Sequence, residues 1–370
     1  MTKAVYIGVS GKARKVKKGY IGVSGKARKI KKGYIGVGGV ARPFWSGGEL
    51  AYYGTATSLS ETKLNFAGAS TGTYAVFAGG SNRVGSGARK SVDAYNQSLT
   101  RSTPEELSRA RYSLEGGSIA NHALFAGGTT GSAVTTMDIY NSSLTKVSGT
   151  SLSSSRYDLA SANVGNYLLF GGGRNASARV DAYDSSLART RATDLSEARY
   201  GLAAASVGNY ALFAGGISPG KDTVDAYDTS LTHSIPSVLS EPISYLAGAH
   251  VGNYALFGGG TIYRSGTTDI VHAYDTSLTM TIITPLTRKT SGLVGISLEP
   301  YAIFSTLGIG NITNVYDESL TQTIPEPLSD YHDGNAAGAT VGDYALIAGG
   351  YDSSYSMDLS LIHISEPTRH

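Results

Sequence analysis

Residues 210–216 read YALFAGG and residues 224–232 read VDAYDTSLT, and this pair of motifs recurs along the chain every 43 to 48 residues. The copies of the first motif begin at Tyr74, His122, Tyr167, Tyr210, Tyr254, Tyr301 and Tyr344. A period of this length, built from short β-prone runs and Gly-rich turns, is typical of a β-propeller with four strands in each blade. Helical solenoids of similar period need amphipathic helices, and the sequence contains no such pattern.

One repeat can be divided into four predicted strands, a to d. Residues 202–206 (LAAAS) form strand a, 210–214 strand b, 224–227 strand c and 231–235 strand d. The turn between strands a and b is Val-Gly-Asn, which tolerates a positive φ. Gly215 and Gly216 close strand b, which indicates a bend or a close backbone approach where a Cβ would clash.

The repeats resemble the kelch family, whose blades carry a double glycine after strand b and a Tyr-Asp pair in strand c. The matching glycine pairs begin at Gly79, Gly127, Gly172, Gly215, Gly259 and Gly349. The matching tyrosines are Tyr95, Tyr140, Tyr183, Tyr227, Tyr274 and Tyr316. The family's strand d Trp is missing, and we expect its packing role to fall to Leu99, Leu144, Leu187, Leu231, Leu278 and Leu320. The sixth copy departs most from the family, because it reads Ser305-Thr306-Leu307 where the other copies end in the glycine pair.

The two ends of the repeat region predict a closed ring. Residues 53–60 resemble an outer strand with no strands a to c before them, whereas the last copy supplies strands a and b and, at 356–358, the start of strand c. An N-terminal strand d would complete the last blade and remove the open sheet edges. The prediction is therefore an all-β, seven-bladed, kelch-like propeller over residues 49–358.

Residues 359–369 (LSLIHISEPTR) resemble a translated sequencing adapter. We therefore expect residues 359–370 to be an artefact at the end of a truncated gene, so that His363 and His370 carry no functional meaning.

Residues 1–48 form a separate unit with a period of 14, in which YIGV and a basic run such as GKARK alternate. The three copies span 6–18, 20–32 and 34–45, and each predicts one small β-hairpin. A lone hairpin is marginally stable in water, so the copies need to pair, oligomerise or dock elsewhere. These tandem modules resemble segments of bacteriophage and prophage structural proteins.

The same N-terminal unit concentrates the positive charge. It holds 12 of the 31 Lys and Arg residues and no acidic residue, so the remainder carries 19 basic and 28 acidic residues. Such an arm could bind an anionic surface polymer, an acidic partner or nucleic acid, or could simply keep sheet edges from aggregating. The candidate anchor residues are Lys12, Arg14, Lys15, Lys17, Lys18, Lys26, Arg28, Lys29, Lys31 and Lys32.

Composition limits the chemistry. The absence of Cys excludes disulfides and thiolate catalysis, including the cysteine-modified tyrosine of galactose-oxidase-like propellers. We find no secretory signal and no apolar run long enough for a membrane span, which favours a virion-associated protein or one that is cytoplasmic during assembly. The Asp-x-x-Asp spacing at Asp181 and Asp225 could indicate calcium, but recurrence at a turn favours backbone capping by the second Asp.

Other candidate motifs also have structural explanations. The Gly-rich residues 77–87 are more typical of a b–c loop than of a phosphate loop, because no helix pattern follows. Arg111, Arg156 and Arg199 share one register, each followed by Tyr, and we expect them to stack on aromatic rings and bond loop carbonyls; a role at the channel mouth is the alternative. The histidines show no metal-ligand spacing, and we predict no metal or cofactor.

Loop length gives the best functional prediction. The a–b and c–d turns are uniformly short, whereas the b–c segments vary from 6 to 11 residues, so we expect ligands on the b–c face. The candidate ligand residues are Arg83, Arg89, Lys90, Arg174, Arg179, Lys221, Tyr263 and Arg264. The sequence thus favours a noncatalytic binding or structural protein, such as a phage virion or host-attachment component, that recognises a protein or surface polysaccharide. A propeller enzyme acting on a surface glycan and a nucleic-acid-binding protein remain the alternatives.

Overall fold

The computed structural model describes the backbone outside residues 1–5, 10–11, 16–18, 24–25, 31, 38–39, 47–48, 84–85, 176, 219, 306–310, 329–334, 350–358 and 366–370. Side chains are described from 54 to 349, apart from 83–86 and the gaps within that range. The chain forms two compact units, one of residues 1–53 with 363–370 and one of residues 54–362.

The described residues form an all-β structure with seven four-stranded sheets, numbered here in chain order and read from strand a to strand d. Sheet 1 comprises Ala67–Ser70, Tyr74–Ala78, Val92–Asn96 and Arg101–Ser102. Sheet 2 comprises Glu115–Ile119, His122–Ala126, Met137–Tyr140 and Lys146–Val147. Sheet 3 comprises Ala160–Val164, Tyr167–Gly171, Val180–Asp184 and Arg189–Arg191. Sheet 4 comprises Ala203–Val207, Tyr210–Ala214, Val224–Asp228 and His233–Ser234.

The remaining sheets follow the same order. Sheet 5 comprises Ala247–Val251, Tyr254–Gly258, Val271–Asp275 and Met280–Ile282. Sheet 6 comprises Val294–Leu298, Tyr301–Ser305, Thr313–Asp317 and Gln322–Thr323. Sheet 7 comprises Ala337–Val341, Tyr344–Ala348, Leu359–Ser365 and Glu49–Ala56. Short additional strands pair Ser81–Arg83 with Ser86–Ala88, and join Ile243–Ser244, Thr261–Ile262 and Gly266–Thr267.

The hydrophobic core lies between neighbouring sheets. Strand a alternates buried and half-buried positions, whereas strand b is almost wholly buried, as a strand covered on both faces should be. The rings of Phe213 in strand b and Tyr227 in strand c meet edge to face, with their centroids 5.9 Å apart. Sheets 1 to 6 all contain this Phe–Tyr contact. The Tyr227 hydroxyl donates to the Thr193 carbonyl at 2.9 Å, so the strand c tyrosine also holds the connection that enters its sheet. This explains the recurrence of the Phe and Tyr positions in the sequence.

The double glycines behave as predicted. Gly215 and Gly216 have φ of 66° and 114°, and a Cβ on Gly215 would collide with the carbonyl oxygen of Ile243 from the next connection. Their conformation and the close approach both favour glycine. They allow the connections between sheets to cross directly over the end of strand b.

The predicted outer strand requires a correction. Residues 231–235 were expected to form strand d, but only His233–Ser234 does. Leu231 instead ends the c–d turn, with a φ of 61° and its amide donating to the Asp228 carbonyl at 2.9 Å. Its half-buried side chain still packs against the core between sheets 3 and 4, and the five equivalent leucines pack between their own sheets in the same way.

Sheet 7 contains a strand from each end of the chain. Glu49–Ala56 is its outermost strand, a few residues earlier than the expected segment 53–60. The third strand is Leu359–Ser365, which belongs to the segment that was expected to be an artefact. The expected start of strand c at 356–358 lies outside the described residues. Sheets 7 and 1 are neighbours, because the Asn65 amide donates to the Asn335 carbonyl at 3.1 Å and a cluster of buried residues joins the two sheets.

Each 14-residue unit of the N-terminal region forms one antiparallel hairpin, as predicted. The pairs are Tyr6–Val9 with Lys12–Lys15, Gly19–Val23 with Lys26–Ile30, and Lys32–Val37 with Val40–Ser46. No helix that could cross a membrane occurs in the part of the chain that the structure describes.

Candidate functional site

Buried ion pairs lie beneath the surface formed by the b–c loops. Arg111, Arg156 and Arg199 are fully buried, and each guanidinium contacts the Asp in strand c of the sheet that it precedes. Arg199 lies 2.5 Å from Asp225 and also donates to the Phe213 carbonyl at 3.0 Å. The predicted bonds to carbonyls are therefore present, but the principal partner is a buried carboxylate rather than an aromatic ring. Lys63 pairs with Asp93 in sheet 1 in the same way, at 2.6 Å.

Sheets 5 and 6 lack both members of this pair. Ile243 and Thr290 occupy the position of the arginine, and His272 and Asn314 occupy that of the aspartate. His272 Nε2 accepts from the Ser240 amide at 3.1 Å, just as the carboxylate of sheet 4 accepts from the Ser196 amide at 2.8 Å. Because a buried charge without a partner is costly, losing both partners together preserves the fold. Comparison of the repeats shows the same paired replacement in the sequence, where Arg and Asp are lost together.

The second Asp of each Asp-x-x-Asp motif caps its turn, as predicted. Asp228 Oδ1 accepts from the amides of Ser230 and Thr232 at 2.8 and 2.9 Å. Asp184 forms the same two bonds, and the hydroxyl of Ser186 with the neighbouring amides holds its pKa below the usual value. The first Asp belongs to the buried ion pairs described above. Both carboxylates therefore have structural roles that do not require a metal.

Most of the predicted ligand residues on the b–c loops already pair with acidic side chains from the connections between strands d and a. The cation–anion pairs are Arg89 with Glu61 at 3.1 Å, Lys90 with Glu106 at 2.6 Å, Arg174 with Asp158 at 2.6 Å, Arg179 with Asp194 at 3.5 Å and Lys221 with Glu197 at 2.5 Å. These contacts confirm that the b–c loops and the d–a connections share one face. The face is less positive than its cations alone would make it, because these acidic side chains lie beside them.

Arg174 forms the centre of an aromatic cluster on this face. Its guanidinium carbon lies 4.1 Å from the centroid of the Tyr200 ring and 5.6 Å from that of Tyr157. Its Nη2 donates to the Tyr245 hydroxyl at 3.3 Å, while Nε donates to Asp158. The cluster thus joins loops of three successive repeats and holds the guanidinium in one orientation.

An open cavity of about 380 Å³ lies beside this cluster. Its wall includes Tyr157, Arg174, Asn175, Tyr200 and Ser218, so ring surfaces, amide groups, a hydroxyl and a guanidinium face the same space. A planar cation and polar groups set against aromatic rings can bind a ligand with hydroxyl groups on an apolar ring, because each kind of surface has its counterpart. We refer to these five residues as the Arg174 pocket.

The other predicted ligand residues lie apart from the Arg174 pocket or outside the described residues. Tyr263 is 43% exposed, and the guanidinium carbon of Arg264 lies 5.0 Å from its ring centroid. The Arg83 side chain and the side chains of all ten anchor residues lie outside the described residues. Sequence reasoning identified Arg174, but it missed Asp158 and Tyr245. The shared position of Tyr157 and Tyr200 beside the b–c loops was the signal that could have located the pocket.

No group of three or more His, Cys, Asp or Glu side chains suited to a metal occurs among the residues whose side chains are described. The chain matches no protein-family profile, and it has no significant similarity to a curated protein.

Proposed function

We propose that the chain is a noncatalytic binding scaffold, a closed seven-bladed kelch-like propeller that presents its ligand on the b–c face. Aromatic rings beside a fixed guanidinium favour a sugar ligand, so the proposed partner is a surface polysaccharide. A protein partner is the alternative outcome of the test below. The observation that carries this proposal is the Arg174 pocket.

Contacts between successive sheets support the ring. A Cβ on Gly116 would touch the Gly68 carbonyl, and one on Gly68 would touch the Gly338 carbonyl, so sheet 1 contacts both sheet 2 and sheet 7. A single cavity is also bordered by strand a of all seven sheets. A ring of this kind holds each loop at a fixed distance from its neighbours, which suits a binding surface assembled from several repeats.

Several contacts hold the Arg174 side chain in the proposed binding surface. Arg174 is held by an ion pair, a hydrogen bond and a ring contact, so little side-chain entropy remains to be lost when a ligand binds. On the neighbouring loops the other cations form ion pairs that are partly exposed to solvent. The proposed site therefore has its binding conformation before the ligand arrives.

The basic hairpins would attach this scaffold to an anionic partner, in keeping with the proposed role in a phage virion or in host attachment. Twelve positive charges in the first 48 residues, with no acidic residue, give such a contact a steep dependence on salt. Replacing Lys15 and Lys29 by Gln should weaken attachment to an anionic polymer and reduce its salt dependence. Thermal unfolding of the seven sheets should be unchanged.

The test of the ligand face is a screen of the purified protein against surface polysaccharides and virion proteins, followed by isothermal titration of each binder. Arg174→Ala should weaken binding by about 1–3 kcal/mol, as buried anchors of interfaces do. Asn209→Ala, in an exposed a–b turn of sheet 4, is the matched control and should bind as the wild type does. Equal binding by all three proteins would refute the proposed face, and ligand cleavage on prolonged incubation would refute the noncatalytic role.

A further inference from the structure

One carboxyl group at the centre of the molecule has no role in the site described above. Glu115 begins strand a of sheet 2, a position occupied in the other six sheets by Ala67, Ala160, Ala203, Ala247, Val294 and Ala337. Its Oε1 accepts a hydrogen bond from the Ser161 hydroxyl at 2.9 Å. Ser161 is also an exception, because the corresponding residue of the other sheets is Gly or Ala. The two polar exceptions therefore face each other.

Glu115 and Ser161 border a cavity of about 360 Å³ where the innermost strands begin, on the same side as the b–c loops. The rest of its described wall consists of Ala, Gly and Leu residues with Phe66, and most of the surface that they present to the cavity is polar backbone. No basic residue borders this cavity in the described part of the chain. Its volume lies near the lower end of the range of about 300–1,000 Å³ that is typical of small-ligand pockets.

The residues that the structure describes around Glu115 leave its carboxylate without a counterion. Within the described residues its hydrogen bonds come from Ser161 alone, and the Ser161 hydroxyl is shared with the Gly116 carbonyl at 2.8 Å. Burial raises the pKa of Glu115 to about 8, and the bond from Ser161 offsets this only in part. A cation delivered by a ligand would supply the missing charge partner, and the surrounding carbonyl oxygens are further acceptors for ammonium hydrogens.

We propose that this cavity binds a primary alkylammonium ligand, with the ammonium group on Glu115 and the short alkyl chain along the Ala and Gly residues of the innermost strands. The ammonium donates to the carboxylate, and the hydroxyl of Ser161 keeps the carboxylate oriented toward the cavity. A primary amine fits better than a quaternary one, because only the primary amine can donate hydrogen bonds to these oxygens. A ligand without a cation would gain only the apolar contact.

The pH dependence of binding distinguishes this arrangement from simple apolar binding. Only ionised Glu115 pairs with the cation, so affinity follows the ionised fraction of the carboxyl. With a pKa of about 8, that fraction rises about 50-fold between pH 6 and pH 8, and affinity should rise with it. No other titratable side chain borders the cavity in the described part of its wall.

Titration of the full chain with pentylammonium chloride, followed by calorimetry at several pH values, tests the proposal. We expect millimolar binding at pH 8 that weakens about 50-fold at pH 6, and much weaker binding of 1-pentanol, which has the same chain without the charge. Glu115→Gln should abolish the pH dependence and weaken binding more than tenfold at pH 8. Glu115→Ala restores the residue type of five other sheets, so it should fold and also fail to bind.

Several results would overturn the proposal. These are equal binding of 1-pentanol and pentylammonium, affinity that is constant between pH 6 and pH 8, binding that persists in Glu115→Gln, or no binding at tens of millimolar pentylammonium. Unfolding curves of each variant establish that the protein compared is folded. The proposal is independent of the polysaccharide face, since neither Arg174 nor its partners border this cavity.

Discussion

Replacing Arg199 tests the buried ion pairs, because the loss of its charge leaves the buried carboxylate of Asp225 with weaker partners. Both side chains have no exposed surface, and among the described residues the carboxylate then retains the Ser196 amide at 2.8 Å and His233 Nε2 at 2.6 Å. Breaking one member of a buried pair costs about 3–5 kcal/mol, and the two remaining bonds place Arg199→Ile near the lower value. Urea unfolding at pH 7 measures the loss as a change in midpoint.

Sheet 5 supplies the matched control for this substitution. It carries Ile243 where sheet 4 has Arg199, and His272 occupies the register position of Asp225. Its Met280 pairs with the strand c tyrosine as His233 does in sheet 4. Adding Asp225→His and His233→Met to Arg199→Ile copies that arrangement and should recover most of the lost stability, to within about 1 kcal/mol of the wild type.

The pH dependence gives a second criterion. Burial alone would raise the pKa of Asp225, but Arg199, the Ser196 amide and His233 together hold it below its usual value. A carboxyl with a lowered pKa contributes stability above its unfolded pKa and loses it as the pH falls. The deficit of Arg199→Ile should therefore shrink in acid, since Asp225 can then take up a proton. A single variant that costs less than about 1 kcal/mol, or a triple variant no more stable than the single one, would refute the reasoning.

Three further outcomes can be measured by unfolding. Gly215→Ala should destabilise the protein by several kcal/mol, because its Cβ meets a backbone carbonyl and its φ is 66°. Gly131→Ala, with φ of 104° and open space around it, should cost only about 1–3 kcal/mol of backbone strain. Equal losses would contradict the close-approach argument. Asp228→Ala should lose about 1 kcal/mol of unfolding free energy, because the turn loses its capping bonds. Asp228→Asn should lose almost none, since Asn96 forms the same two amide bonds in sheet 1. An unstable Asn variant would be evidence against capping. Burial lowers the pKa of His272 from 6.5 to about 4, so the stability that depends on its neutral form is complete above 6.5 and is lost as the pH falls through about 4. His272→Asn should flatten this part of the pH profile, by at most about 1.4 kcal/mol per pH unit, and an unchanged slope would show that His272 titrates normally in the fold.

The sequence predicted the repeated strands well because their residues depend on local constraints. Strand b of sheet 4 has the predicted bounds, and Gly215 and Gly216 have the positive φ that their spacing indicated. The outer strand was predicted too long, because Leu231 was assigned to a strand although its role is to end a turn. An apolar residue at positive φ has no distinctive local pattern, since packing against the next sheet compensates for its strain.

The candidate site was less predictable because its properties depend on contacts between repeats. Loop length predicted a ligand site on the b–c face, and Arg174 was among the candidate residues. The pairing of Arg174 with Asp158 and Tyr245 joins residues from different repeats, which a period within one repeat does not reveal. Glu115 was missed for the same reason: its significance comes from facing Ser161 of the next sheet.

Amide hydrogen exchange of the polysaccharide complex tests the binding face most directly. Protection on binding should appear in the loops that carry Tyr157, Arg174, Tyr200 and Ser218, because these residues form the wall of the Arg174 pocket. The a–b turn at Gly208 lies at the opposite end of strand a and should exchange at the same rate with and without ligand. Protection confined to the a–b turns, with none around Arg174, would contradict the proposed ligand face.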